Sequence, residues 1–291
     1  MSRLLFAAGI LLLTSLSVRA DDATKSRLDR ATQAYDATMK SIHQEIIKNL
    51  AAREETARKE GKTELVEQIK ADRQALRERD ELPAILSPAI SKRVAAARET
   101  MATAYKAAVK EYLKDKKDVE AKSIEEALTA FRRDAFKHLN IDEAAVKDDF
   151  LQLKREAFVS AKHECSGPIE IQVVARTEQE NIRLHGYRGS LVIFNWELNP
   201  GELRVHRPDG SDQRNSDSIA TAKVMPLKPN TWYRLKWRIG SKGLAVYVND
   251  VLVSNEQRNY DLTAKGVVGV GAATSVIDVK EFRVIPLGPK D

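Results

Sequence analysis

Cysteine is all but missing from this chain: Cys165 stands alone, so no internal disulfide can form and packing must hold the fold, even in an oxidising compartment. Metal-ligand spacing is missing too. His43 has Glu45 nearby and His138 has Asp142, but neither has further partners at a fixed interval, so no metal site is expected. Concentrated positive charge is lacking: the formal net charge is +6, and basic residues are interleaved with acidic ones, which excludes a nucleic-acid binder. No run is long enough to span a membrane, since the apolar stretch at residues 4–13 is about half the ~20 residues a spanning helix needs. Carboxylates alternating along one strand as Glu-x-Asp-x-x-Glu, which would point to glycoside hydrolysis, are absent. No catalytic residue is therefore assigned. Proline and glycine are absent from residues 24–60, and there the absence predicts a long uninterrupted helix.

The N-terminus reads as an export leader, residues 1–20. Arg3 gives the basic start, residues 4–13 the apolar centre, and Val18-Arg19-Ala20 the small-residue cleavage site. No cysteine follows the cleavage site, so no lipid attachment is expected there, and a secreted or periplasmic protein follows. Removing Arg3 and Arg19 takes the charge from +6 to +4. The mature length, about 270 residues, suits two domains.

Residues 21–164 read as helical. Leu28, Ala31, Tyr35, Met39, Ile42, Ile46 and Leu50 recur at spacings of three and four, an amphipathic stripe. Gly61 ends this helix, and Thr63 is the expected cap of a second, with Leu65, Ile69 and Leu76 on its stripe. Leu82-Pro83 breaks the second, and Ser87-Pro88 opens a third as cap and first-turn proline. A fourth helix is expected from Val119 to Leu139. A fifth is expected after Asp142, carrying Val146, Phe150, Leu153 and Ala157. The expectation is of antiparallel hairpins in a coiled-coil-like bundle. Its polar exterior offers no broad face to a membrane, but leaves a seam for a homo-oligomer or a protein partner. Ala-Tyr-x-Ala-x-apolar-Lys occurs at residues 34–40 and again at 104–110, a weak repeat that predicts a tyrosine packed at an equivalent place in each hairpin.

Ser166-Gly167-Pro168 marks the expected boundary, with Cys165 beside it as a half-buried packing residue; a nucleophile or an intermolecular bridge is the sharper alternative. Residues 168–287 carry short alternating apolar runs between Gly, Asn, Asp and Pro turns, which predicts an antiparallel β-sandwich. Asn249-Asp250 sits between two such runs as a two-residue hairpin turn. Gly266, Gly269 and Gly271 predict close approach of the neighbouring strand. The fold class is thus α+β: a helical region followed by the sandwich.

The order in residues 230–287 is a Trp-led strand at Trp232, the hairpin, the Gly-Val-Gly run at residues 269–271 and a final Phe282-Arg283-Val284 strand. It resembles the closing half of concanavalin A-like jelly rolls. The nearest branch is the laminin-G-like group that includes bacterial 3-keto-disaccharide hydrolase domains, although Asp250 stands where glycine is usual. The helical part, with Gly61-Lys62-Thr63-Glu64-Leu65-Val66, is similar to regions that precede jelly rolls in some exported bacterial proteins. The resemblance implies a sandwich and, as an alternative activity, hydrolysis of glycosides.

Alternation on three strands isolates outward basic residues: Arg183 and His185, Arg204 and His206, and Arg234, Lys236 and Arg238. If these strands share a sheet they form a cationic face suited to sugar hydroxyls or acidic glycans. Trp196 could add a stacking platform, yet it is in phase with Val192 and Phe194, which favours burial. Trp237 reads as core and Trp232 as core-edge packing. No cofactor is required; Asp209, Asp212 and Asp217 in the loop 209–218 could hold Ca²⁺. The reading is an exported, non-catalytic protein whose sandwich binds carbohydrate or another cell-envelope component, with purely structural assembly as a further alternative.

Overall fold

The computed structural model describes residues 5–83, 86–208 and 219–287. Residues 1–4 of the expected leader and the candidate calcium loop 209–218 lie outside the described residues. The chain divides into two compact units, Met1–Asp134 and Ala135–Asp291.

Among the described residues the first unit holds four helices: α1 (Leu5–Lys59), α2 (Thr63–Arg79), α3 (Pro88–Lys114) and α4 (Asp118–Asp134). The leader segment from Leu5 onward is continuous with α1, which the sequence placed from Thr24. Gly61, at φ +66°, turns the chain in the left-handed region, and the Lys62 N–H closes the helix end on the Ala57 carbonyl at 2.9 Å. Thr63 does not cap α2: it is already the first helical residue, and the N-cap residue is Lys62, which makes no side-chain cap. Ser87 does cap α3, its Oγ accepting from the Ile90 N–H at 3.3 Å ahead of Pro88.

Ile42, Ile46, Leu50 and Ala57 of α1 pack with Val66, Ile69 and Leu76 of α2 and with Ile90 and Val94 of α3. Near the middle of α1, Leu28 joins Ala108, Val109 and Tyr112 of α3 and Ala121 of α4. Glu54, buried on α1, ties the pair of helices by accepting from Arg58 at 2.6 Å and from Arg73 of α2 at 3.0 Å. Both tyrosines of the weak repeat meet one ring: Tyr35 lies edge-on to Phe131 at 5.2 Å and Tyr105 tilted to it at 5.7 Å.

The fifth helix is not there. After Asp134 the chain forms β1 (Leu139–Asn140), β2 (Ala144–Lys147), β3 (Phe150–Leu153) and β4 (Phe158–Ala161). Asp148 at φ 28° and Glu156 at φ 64° turn the backbone where a helix would need to continue. Leu151 and Leu153 are fully buried, a period of two. The helical region therefore stops at Asp134, not at residue 164, and the sandwich begins about thirty residues before the boundary expected at residue 168.

The remaining strands are β5 (Ile169–Thr177), β6 (Ile182–His185), β7 (Leu191–Phe194), β8 (Glu202–His206), β9 (Ile219–Lys223), β10 (Tyr233–Gly240), β11 (Gly243–Val248), β12 (Val251–Gln257), β13 (Gly269–Gly271) and β14 (Ile277–Pro286). They form two antiparallel sheets of seven strands, ordered β1-β4-β13-β6-β7-β8-β9 and β12-β11-β10-β5-β14-β3-β2. Register runs straight across the first sheet: Val159, Val270, Leu184, Val192 and Val205 pair in one row. All five are buried, which fixes that row as the core side and its neighbours as the outer side. From the second sheet Ile171, Val173, Leu235, Trp237, Ile277 and Val279 fill the other half of the core at 0% exposure.

The Asn249-Asp250 turn has both residues at positive φ, 49° and 67°, and closes β11 onto β12 through the Val248–Val251 pair. Gly269 and Gly271 serve close approach. A Cβ on Gly269 would run into the Val159 carbonyl and the Phe158 ring, and one on Gly271 would stand 2.8 Å from the Ala157 carbonyl. The missing side chains let Phe158 lie across β13 on the outer side of the sheet.

Candidate functional site

The two Arg-x-His strands are brought together. In the register of the first sheet, Arg183 of β6 faces Ile193 of β7, which faces Arg204 of β8; one step along, His185 faces Leu191, which faces His206. With strands ~4.8 Å apart, the two arginines are rooted about 10 Å from each other on the outer side. Between them Leu191 and Ile193 form an apolar floor, at 8% and 4% exposure.

Trp196 enters this face by a route that alternation does not anticipate. Val192 and Phe194 point into the core, and Trp196 would follow them. Asn195, however, adopts φ 49° and is clamped there. Its Oδ1 accepts from the Leu227 N–H at 2.6 Å, and its Nδ2 donates to the Leu227 carbonyl at 2.8 Å. The strand ends, and Trp196 is delivered half-buried to the opposite side, with the Arg204 guanidinium 4.0 Å from its ring centroid. The indole therefore carries an arginine on one face.

Glu197, next in sequence, accepts from Arg183 Nη2 at 2.6 Å and from Asn181 Nδ2 at 3.0 Å. Asn181 is fully buried, and its Oδ1 also takes the Ala273 N–H at 3.1 Å. Asn181 was missed from sequence although period two could have found it: it is two residues before Arg183, in phase with it.

His185 is half-buried, with the Phe158 ring edge-on at 4.7 Å. Burial, and then the charge of Arg183, push its imidazole down to about 4. His206 is 9% exposed, and neither ring nitrogen has a hydrogen-bond partner. Burial, then Arg204 and Arg183, hold its protonation below the ordinary histidine range. Both rings are neutral at pH 7, so the face carries two guanidinium charges rather than four cations.

Arg234, Lys236 and Arg238 are elsewhere. They lie on β10, which pairs with β5 and β11 in the second sheet, so the expected single cationic surface of three rows is divided between two sheets. The chain crosses from one sheet to the other between β9 and β10. The β10 charges are also answered locally: Arg238 pairs with Glu170, Lys236 with Asp250, and Arg234 with Asp250 at 3.2 Å. The hydrogen bond from Lys236, with Arg234 nearby, keeps the Asp250 carboxyl below the usual range. Trp237 is fully buried. Trp232 is half-buried against Phe150 at 5.9 Å, with Arg176 and Lys280 over its ring at 4.8 Å and 5.0 Å.

His43 faces Asp80 at 3.1 Å while Glu45 takes Arg93, and His138 Nε2 meets the Phe282 carbonyl at 3.2 Å. Among the described residues no three His, Cys, Asp or Glu side chains are grouped to hold a metal ion. No described helix is long and apolar enough to cross a membrane. Cys165 is half-buried, burial pushes its thiol up, and its backbone bridges to Gly266. A shallow cleft of about 530 Å³ between the turns at Glu143 and Arg155 contains none of the expected site residues.

No family model and no curated protein matches this chain. Among solved structures it is similar to the carbohydrate-binding module CBM66 from Bacillus subtilis, at 12% identity and a TM-score of 0.39, over 52% of this chain and 96% of that one. It is similar to the carbohydrate recognition domain of Emp47p at 11% identity and 0.41, over 52% and 89%. It is also similar to the metal-free exoplasmic/lumenal domain of VIP36 at 11% and 0.40, over 52% and 85%. Likeness at this level of identity and superposition carries no functional weight of its own.

Proposed function

We propose that this is an exported, non-catalytic protein whose β-sandwich binds glycan, or another cell-envelope component of like chemistry, on the outer face of the β6–β7–β8 sheet. The observation that carries the reading is the in-register pairing of Arg183-x-His185 with Arg204-x-His206 across an apolar floor, flanked by Trp196 and Glu197. Sugar rings present hydroxyls above and C–H surfaces below. They are met by fixed donors and acceptors set beside apolar area, held on rigid strands so that little ordering is left for binding. Glu197 has both oxygens engaged by Arg183 and Asn181, which suits orientation of the site more than proton transfer. Export rests on the leader-like residues 1–20, and the helical unit serves as scaffold.

The test is retention on an array of neutral and acidic polysaccharides. Arg183→Ala and Arg204→Ala should each abolish retention or weaken it at least about tenfold. Arg234→Ala, on the other sheet, should leave it unchanged. Equal loss with Arg234→Ala, or retention that survives both substitutions on the β6–β8 face, would remove this face from the reading.

A further inference from the structure

We infer that this face selects a sugar bearing a carboxylate, of the uronate type, and that Arg204 is the residue that holds the carboxylate. The inference rests on the glycan-binding reading above and narrows it to one class.

It follows from counting donors against acceptors on the face. Glu197 is the carboxylate on Arg183, and both its oxygens are taken, one by Arg183 at 2.6 Å and one by Asn181 at 3.0 Å. Arg204 approaches Glu202 no closer than 3.9 Å, beyond hydrogen-bond reach. The Arg204 side chain makes no hydrogen bond among the described residues, and its Nε is buried without a partner, as is that of Arg183. His206, two residues along the same side of β8, is nine-tenths buried with both ring nitrogens unpartnered. Apart from the acceptor nitrogen of the neutral His206 ring the surplus is of donors, and it includes one guanidinium that no carboxylate of the described residues reaches within hydrogen-bond distance.

Stacking fixes how that charge is presented. With the guanidinium 4.0 Å from the Trp196 ring centroid its cationic head is held in place, and a planar fork of N–H groups matches a carboxylate in bidentate fashion. Hydroxyls of a neutral sugar can occupy the donors but leave the charge answered only by Glu202 at 3.9 Å on a partly buried side chain, which is the weaker arrangement. A carboxylate answers both deficits. The basic row on β10 shows the contrast, because Arg234 and Lys236 share Asp250 and Arg238 has Glu170 within hydrogen-bond distance.

The experiment is calorimetric titration of the full chain with a polyuronate and with the same polymer after its carboxylates have been reduced to primary alcohols. The reduced polymer should bind at least about tenfold more weakly, the scale of one charge-assisted hydrogen-bonded pair. Arg204→Gln should remove the difference between the two polymers, and Arg204→Lys, which keeps charge but loses the fork, should restore only part of it. Equal binding of both polymers by the unsubstituted protein would overturn the inference and leave the glycan reading standing. Binding of neither polymer, with retention of neutral glycans on the array, would likewise overturn it alone. No binding of any glycan would take both down.

Discussion

His185 sits where the fold makes a charged imidazole expensive, beside Arg183 and edge-on to Phe158 at 4.7 Å. Its ordinary value of 6.5 is depressed to about 4. Above pH 6.5 the ring is neutral folded or unfolded, and the shift has no effect. As pH falls from 6.5 to 4 the unfolded chain takes up a proton that the folded one refuses, so stability declines over that window and levels off below it, by on the order of 3 kcal/mol. NMR titration of the ring should show a midpoint near 4, and urea unfolding of His185→Gln should show a shallower decline over the same window. A midpoint near 6.5 would contradict the packing described. At this scale much was legible. Trp237 could be assigned to the core from its phase with Leu235, and the outward residues of β6 and β8 from simple alternation. Trp196 could not, because one asparagine in the left-handed region reverses the side on which it emerges. That choice is enforced by bonds to Leu227, thirty-two residues away. Nothing within the strand itself records it.

The elements show the same division between local and distant causes. The hairpin at Asn249-Asp250 and the cap at Ser87 were readable because the turn chemistry is complete within a few residues. Residues 142–157 were not. Val146, Phe150, Leu153 and Ala157 have helical spacing, but Val146 and Phe150 are only partly buried while Leu151 and Leu153, two apart, are fully buried, and what selects strands is the partners waiting for them: β14 for β3, and β13 for β4. Local periodicity was overruled by tertiary pairing. The β4–β13 contact is also where a single methyl should be least tolerated. Gly269→Ala drives a Cβ into the Val159 carbonyl as well as the Phe158 ring, so the backbone must shift. A loss of about 2–3 kcal/mol is expected from denaturant midpoints. Adding Phe158→Ala should not recover it, since the carbonyl remains; full recovery would mean that the ring alone sets the fit.

For the molecule as a whole, the consequence is where the second unit begins. A sandwich starting at residue 168 would lack β3 and β4, and with them Leu151, Leu153 and Val159, all at 0% exposure. At about 1.5–3 kcal/mol for each fully buried side chain, that loss matches much of the 5–15 kcal/mol by which a domain is usually stable. It would also uncover an open edge on β13 in one sheet and on β14 in the other, the kind of edge that recruits other chains. A fragment of residues 135–291 should therefore unfold in one cooperative transition and keep whatever glycan retention the full chain has. A fragment of residues 168–291 should be unfolded or aggregated by circular dichroism and gel filtration. Matching unfolding midpoints for the two fragments would show that β1–β4 are an ornament of the sandwich and not part of its core. The face built from Arg183, Arg204 and Trp196 would then owe nothing to Phe158, which packs against His185 at its margin.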